Sequence, residues 1–395
     1  MVFGVAQAAP AEHLRAAMAG DAADGGLATI ARYVRRHPRS ASLTPLTATG
    51  SLIASEANWS LIAPSSDSPD GRLESIHFLR VGSRSDATEL ADELRRDARI
   101  EFVSQPAPQR SAFAATGAVV KADPEWGINK CGFPDAWRVL DQCGEDPGPI
   151  GVLDTGGDKH HDKLAQRITE IPVLEGKASP SDHAMAVAGV IAARRDIPGV
   201  PRGCCSANVN LYNVFTVTGH IDHAAICTAL ADAARKRLPV VNMSMSLTEM
   251  TPQLRICIDA CVASGVIIVA AMGGPLDGDA LSSHPDVVAV GGTNANDAPE
   301  PALSRQGAEM FVAAPAVNIV SVNDRARPRG FDGTSFAAPM VSSAVWLARY
   351  KRPDLTHEQV LETLRRSVHV PNAPRTEALG YGRLDMPAMQ TALGL

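Results

Sequence analysis

Long apolar runs, basic clusters and aromatic side chains are all scarce in this chain, and each scarcity removes a class of function. No stretch is long and apolar enough to read as a membrane span. Aromatic residues make up 4% of the 395 positions, which leaves few platforms on which bases could stack. Lys and Arg (37) are outnumbered by Asp and Glu (43), the net charge is −6 and no basic run occurs, so nucleic acid is not the expected partner. Met1 to Pro10 contain no Lys or Arg and only a very short apolar run, so they do not read as a secretory signal. The seven cysteines are odd in number and include the adjacent pair Cys204 and Cys205, unlike a disulfide framework. The setting these features predict is reduced and cytoplasmic, with no membrane partner.

What is present is a globular composition, 45% hydrophobic and 20% charged, at a length that suits one large domain and a smaller one. Residues 1–44 read as a helical extension, with Leu14, Met18, Leu27, Ile30 and Val34 at approximate helical spacing. Within residues 45–112, a turn signal at Pro69-Asp70-Gly71 precedes a strand over 76–81, a helix over 86–97 and a strand over 100–103, which predicts a small α+β unit. Residues 113–125 are a polar, small-residue linker. In residues 126–395, apolar runs at 149–153, 209–214, 239–243, 265–271 and 287–291 alternate with helical patterns near 184–193, 221–237 and 252–264. That alternation predicts an α/β fold: a mostly parallel sheet with helices on both faces.

The motif richest in chemical meaning is Gly333-Thr334-Ser335-Phe336-Ala337-Ala338-Pro339, which sets a serine at the mouth of a long apolar helix. A helix start offers unpaired N–H groups and the positive end of the peptide dipole, so negative charge forming near the Ser335 oxygen would be stabilised. A nucleophilic serine also needs a base and a group that orients the base. Ile150-Gly151-Val152-Leu153-Asp154-Thr155-Gly156 is a short apolar strand that ends on a carboxylate, and Ser181-Asp182-His183 opens a small-residue helix. The chain order is thus Asp, His, Ser.

These blocks resemble the subtilisin-like serine proteases, the subtilases: Asp154-Thr155-Gly156, His183 with Val187-Ala188-Gly189, and Gly333-Thr334-Ser335 with Ala337-Ala338-Pro339. Trp126-Gly127-Ile128, Pro134-Asp135-Ala136-Trp137, Val241-Asn242-Met243-Ser244 and Gly380-Tyr381-Gly382 extend the resemblance over roughly residues 120 to 390. The resemblance implies a serine endopeptidase with Ser335 as nucleophile, His183 as general base and then acid, and Asp154 orienting His183, acting on a peptide or protein substrate through an acyl-enzyme. It implies that the unit ending near Pro106, Pro108 and Gln109 is a propeptide, an intramolecular inhibitor or chaperone, and hence a zymogen; a permanent accessory domain is the alternative.

The sequence also departs from the family pattern. Gly274 stands where the family usually has an oxyanion asparagine, which leaves the Ser335 backbone N–H, aided by the Thr334 hydroxyl, as the implied donor. Ala184 and Met185 replace the usual Gly-Thr after the histidine. Ser246 replaces a pocket glycine beside Ser244 and Met245, which implies a pocket narrowed to slender side chains. Slow, selective cleavage is the expectation; a peptide-binding pseudoenzyme and a peptide ligase or macrocyclase are the alternatives. Asp158, His160, His161 and Asp162 have no second ligand cluster, and Arg194-Arg195-Asp196-Ile197-Pro198 stands where relatives bind calcium, so no metal and no cofactor is expected. Cys227, Cys257 and Cys261 read as packing residues, while Cys131 and Cys143 flank a predicted helix.

Overall fold

The computed structural model describes residues 123–140, 145–157, 164, 166–175, 182–194, 199–275, 278, 280–323, 327–370 and 373–394, preceded by residues 2–5, 34, 42–45, 52–53, 60–62, 73, 76–80, 84–96, 100–104 and 109–110. Strands β1 (Val2–Val5), β2 (Ser42–Pro45), β3 (Leu52–Ile53), β4 (Ser60–Ile62) and β5 (His77–Arg80) lead to helix α1 (Arg84–Leu94) and strand β6 (Ile100–Ser104). Ala87, Leu90, Ala91 and Leu94 are buried at helical spacing, so α1 docks by one apolar stripe. β1 pairs with β4 and β6, and β2 with β5. The helices expected over residues 11–40 lie outside the described residues, apart from Val34.

After β7 (Gln109–Arg110) come helices α2 (Trp126–Cys131) and α3 (Phe133–Leu140), then β8 (Ile150–Asp154), β9 (Ile168–Ile171), β10 (Leu174–Glu175) and α4 (Asp182–Ala192). The chain continues through β11 (Val209–Asn213), β12 (His220–Ile221), α5 (His223–Lys236), β13 (Val240–Met243), α6 (Pro252–Ala263), β14 (Ile267–Ala271) and β15 (Val287–Thr293). It ends with β16 (Val312–Pro315), β17 (Ile319–Val322), β18 (Pro328–Phe331), α7 (Thr334–Lys351), α8 (His357–Arg366) and α9 (Met386–Leu393).

Seven strands form one sheet in the order β16-β15-β14-β13-β8-β11-β9, and every pairing in it is parallel. β8, β13, β14 and β15 are buried along their whole length, because a parallel strand covered on both faces has no polar side; that is why they read as continuous apolar runs. The edges were not legible in this way. Thr169 and Glu170 of β9 are exposed, and β16 is only four residues long and ends in a proline.

Successive strand residues face opposite ways, so the sheet divides two cores. Val152, Val269 and Val288 pack with Val187 of α4 and Met340 and Val345 of α7, whereas Leu153, Val241 and Ile268 pack with Ile226 and Leu230 of α5 and Ile258 of α6. Leu73 and Ile76 of the N-terminal unit belong to the second core, with Phe102 packed against it. β3 pairs with β10 and β7 with β12, so the N-terminal unit is joined to the sheet domain by strand pairing as well as by apolar contact. Among the described residues, no helix is long and apolar enough to cross a membrane.

Candidate active site

All seven strands run the same way, so their carboxyl ends lie along one edge, and the candidate residues gather there. Asp154 is the last residue of β8 and is fully buried. A buried carboxylate needs donors. Oδ1 accepts the Thr155 N–H (2.7 Å) and the Thr155 hydroxyl (3.1 Å). His183, the second residue of α4, brings Nδ1 to 3.0 Å from Oδ1 and 2.9 Å from Oδ2. An ionised carboxylate only accepts, so Nδ1 carries the proton and Nε2 presents a lone pair. Arg329 of β18 lies 2.6 Å from Asp182 and holds the start of α4, while the Phe336 ring tilts against the His183 ring at 5.5 Å.

Ser335 is the second residue of α7, and its hydroxyl donates to the Ser244 carbonyl (3.2 Å). Its own carbonyl would ordinarily accept the N–H four residues on, but that residue is Pro339, which has none. The Ser244 hydroxyl supplies the missing donor at 2.8 Å. Asn242 in turn donates to Ser244 Oγ (2.9 Å) and accepts from Ser342 Oγ (3.1 Å). The serine turn is therefore tied to β13 by a buried polar chain in which a proline, a hydroxyl and an amide complement one another.

Helix starts in the sheet domain differ. Asp222 caps α5 by accepting from the Ala224 and Ala225 N–H groups, and Thr251 caps α6 by accepting from Leu254. α8 and α9 are capped by Thr356 and Asp385. α7 is preceded by Gly333, which gives it no side-chain cap. With φ 135 and ψ 155, Gly333 also occupies a conformation that residues with a Cβ rarely adopt.

The other predicted residues separate. Ser244 is fully buried and engaged with Ser335, and Thr334 is 3% exposed at the first position of α7. Met245 is 2% exposed and packs in the core of the α5/α6 face, so its side chain does not line an open cleft. Ser246 accepts a hydrogen bond on its carbonyl from Gln109 Nε2 (2.9 Å). Gly274 follows β14 after Met272, whose N–H bonds the Val290 carbonyl (3.0 Å), and after Gly273, whose carbonyl accepts from the Arg305 N–H (3.0 Å). Sequence reasoning quoted Thr155, Asn242 and Pro339 within its motifs without assigning them a role, and it missed Thr248, Arg329 and Ser342. The one local signal was Asn242, an amide inside an otherwise apolar buried strand.

Six cysteines are described, all buried free thiols. Burial pushes Cys131 up to about 12 and Cys205 to about 11, so neither supplies a thiolate at neutral pH. Among the described residues no three His, Cys, Asp or Glu side chains are grouped to hold a metal ion. Asp158, His160, His161, Asp162 and residues 195–198 lie outside the described residues.

Comparison with known proteins adds the following. A family model for the subtilase family matches residues 149–383. Subtilisin E of Bacillus subtilis (strain 168) is 29% identical over 225 residues, which cover 54% of this chain and 58% of that one, little more than half the relative's length. Alkaline elastase YaB of Bacillus sp. (strain YaB) is 27% identical over 333 residues, 82% of this chain and 84% of the relative. Among solved structures, the prenylagaramide maturation protease PagA superposes with a TM-score of 0.58 at 23% identity, covering 66% of this chain and 98% of PagA, a likeness of fold.

Proposed function

The chain belongs to the subtilase family, and on that premise we propose that it is a serine endopeptidase in which Ser335, His183 and Asp154 form the catalytic triad. The observation that carries the proposal is the buried Asp154–His183 pair, 2.9 Å apart, with the imidazole packed 5.5 Å from the ring of Phe336, which directly follows Ser335 on a helix start that lacks a side-chain cap. Ser335 Oγ turns from the Ser244 carbonyl, attacks the scissile carbonyl and passes its proton to His183 Nε2. Asp154 holds Nδ1–H and balances the imidazolium that results. The tetrahedral oxyanion lies against the first N–H groups of α7, with the Ser335 N–H as principal donor. His183 then protonates the leaving amine, and water admitted by the same base hydrolyses the acyl-enzyme.

Gly274 supplies no side-chain donor to the oxyanion. In subtilisin, removing the corresponding amide costs about 10² to 10³ in kcat, so turnover here is slow and suited to a restricted set of substrates. Gly274 is also the observation that favours a second reading, a peptide-binding protein without turnover. An active-site fluorophosphonate separates the two. Stoichiometric modification mapped to Ser335, lost in Ser335→Ala, supports the peptidase, and a folded protein that is never modified rejects it. Product masses with an added amine distinguish hydrolysis from ligation.

The unit at residues 45–112 acts as an intramolecular inhibitor or chaperone under this reading. Supporting it are the β3–β10 and β7–β12 pairings, the burial of Leu73 and Ile76 in the sheet domain's core, and the Gln253 Nε2 to Ser104 Oγ bond of 3.3 Å. Residues 113–395 expressed alone should fold poorly and be inhibited by residues 1–112 added separately. Unaided folding without inhibition would leave a permanent accessory domain.

A further inference from the structure

β7 is only two residues long, and its pairing with β12 (Gln109 opposite Ile221, Arg110 opposite His220) is a backbone contact that any sequence can make. The selective contact is on the other side. Gln109 Nε2 donates to the Ser246 carbonyl (2.9 Å), and Gln109 Oε1 accepts from both the Thr248 N–H (2.9 Å) and the Thr248 hydroxyl (3.1 Å). The orientation of the amide is forced, because a carbonyl can only accept and a backbone N–H can only donate. Glutamate would set an oxygen against the Ser246 carbonyl, and methionine would leave all three groups without this partner.

The receiving groups are held in place independently of Gln109. Leu247, between Ser246 and Thr248, is fully buried and its carbonyl accepts the Ala280 N–H (2.7 Å). Behind Thr248 lies Gly278, where a Cβ would stand 3.1 Å from both Thr248 Cα and Cγ2; glycine there lets Thr248 occupy its position. Ser246 and Thr248 follow Ser244, the residue that clasps Ser335, so the two clusters share one short segment at the sheet's carboxyl edge.

We propose that Ser246 and Thr248 form a carboxamide-recognising subsite, which selects glutamine in a peptide lying as a strand beside β12, and that Gln109 occupies it as the chain's own ligand. This specifies the substrate class within the peptidase reading and rests on it.

Two measurements on the full chain test it. Trypsin cleavage after Arg110 reports release of β7: Gln109→Met, which removes all three hydrogen bonds, should speed it about tenfold or more, Thr248→Val, which removes the hydroxyl bond alone, should speed it by less, and the double variant should be no faster than Gln109→Met. Independent, multiplying effects would overturn the contact. In the Gln109→Ala chain, fluorescence anisotropy of a labelled peptide spanning residues 106–112 should show binding about tenfold tighter than with Met or Glu at the Gln position. Thr248→Val should reduce that preference by the worth of the hydroxyl bond, Thr248→Ser should keep most of it, and Gly278→Ala should weaken the Gln peptide by displacing Thr248. Equal affinity for the three peptides, or binding by none, overturns the subsite. Fluorophosphonate labelling of the same protein reads Ser335 separately: a glutamine preference without labelling rejects the peptidase and keeps the subsite, and labelling without preference does the reverse.

Discussion

Helices α5 and α6 on one face of the sheet and α7 on the other each bury an apolar side against it, yet they differ at their first turns. Asp222 and Thr251 close the starts of α5 and α6 with side-chain caps, whereas α7 begins on Gly333 with none. A capped start has its N–H groups committed to the protein and serves as a structural joint. An uncapped start at the carboxyl edge keeps those groups for an incoming anion or carbonyl oxygen. The polar groups follow the same division. The α7 face has the Ser342–Asn242–Ser244–Ser335 chain, and the α5/α6 face has buried Cys227, Cys257 and Cys261 and serves as the docking ground for Leu73, Ile76 and Phe102. The contrast teaches that the apolar residues of a helix decide which sheet face it covers, while the residue before its first turn decides whether a side chain of the protein occupies its first N–H groups.

The comparison is broken most sharply at Ser335. Ser335→Ala should lower peptide cleavage by about 10⁶ and abolish fluorophosphonate labelling while the thermal midpoint stays close to the parent's. Labelling that persists would move the chemistry away from the α7 start.

His223, the first residue of the capped helix α5, should produce a pH effect on stability and none on labelling chemistry. Burial lowers it from 6.5 to about 4, and its Nδ1 has no hydrogen-bond partner. The unfolded chain therefore takes the proton first as pH falls. Stability should be unaffected above about pH 6.5, decline between there and about pH 4 by up to about 3 kcal/mol, and level off below. Denaturant midpoints of the parent and of His223→Gln across that window check this; an identical decline in the variant would assign the effect to another group.

Gly274→Asn tests whether the open α7 start is the whole oxyanion site. Single-turnover acylation should rise about tenfold, short of the full worth of an ideally placed amide, because Met272 and Pro275 were not selected to hold one. An unchanged rate would show that the hole is already filled.

The smallest effect is expected on the capped side. Asp222→Ala should cost about 1 kcal/mol of stability, the usual worth of a cap, and leave the labelling rate unchanged. A loss of labelling comparable to the loss of stability would mean that the two faces are coupled.

Much of the fold was legible because its causes are local. The five apolar runs became β8, β11, β13, β14 and β15, whose residues need no polar face, and the small-residue stretches between them became α4, α5 and α6. β9 and β16 escaped because an edge strand mixes exposed and buried residues, and the β17–β18 hairpin because its residues show no sustained period. At the site, Asp154, His183 and Ser335 could be chosen as candidates from their positions at a strand end and two helix starts. The contacts that hold them could not, since Asn242 and Ser342 are 100 residues apart and Ser244 and Ser335 are 91 apart.

The sequence alone determined an alternating α/β architecture, the uncapped glycine before Ser335 and the proline four residues after it, because hydrophobic period and backbone constraint act over a few residues. Only the tertiary structure decided that the Ser244 hydroxyl would answer the N–H missing from Pro339, that the carboxylate of β8 would meet the imidazole of α4, and that Gln109 would find Ser246 and Thr248. Those choices depend on which distant segments the parallel sheet brings to one edge, and hydrogen bonds formed across such distances leave no periodic trace in the chain.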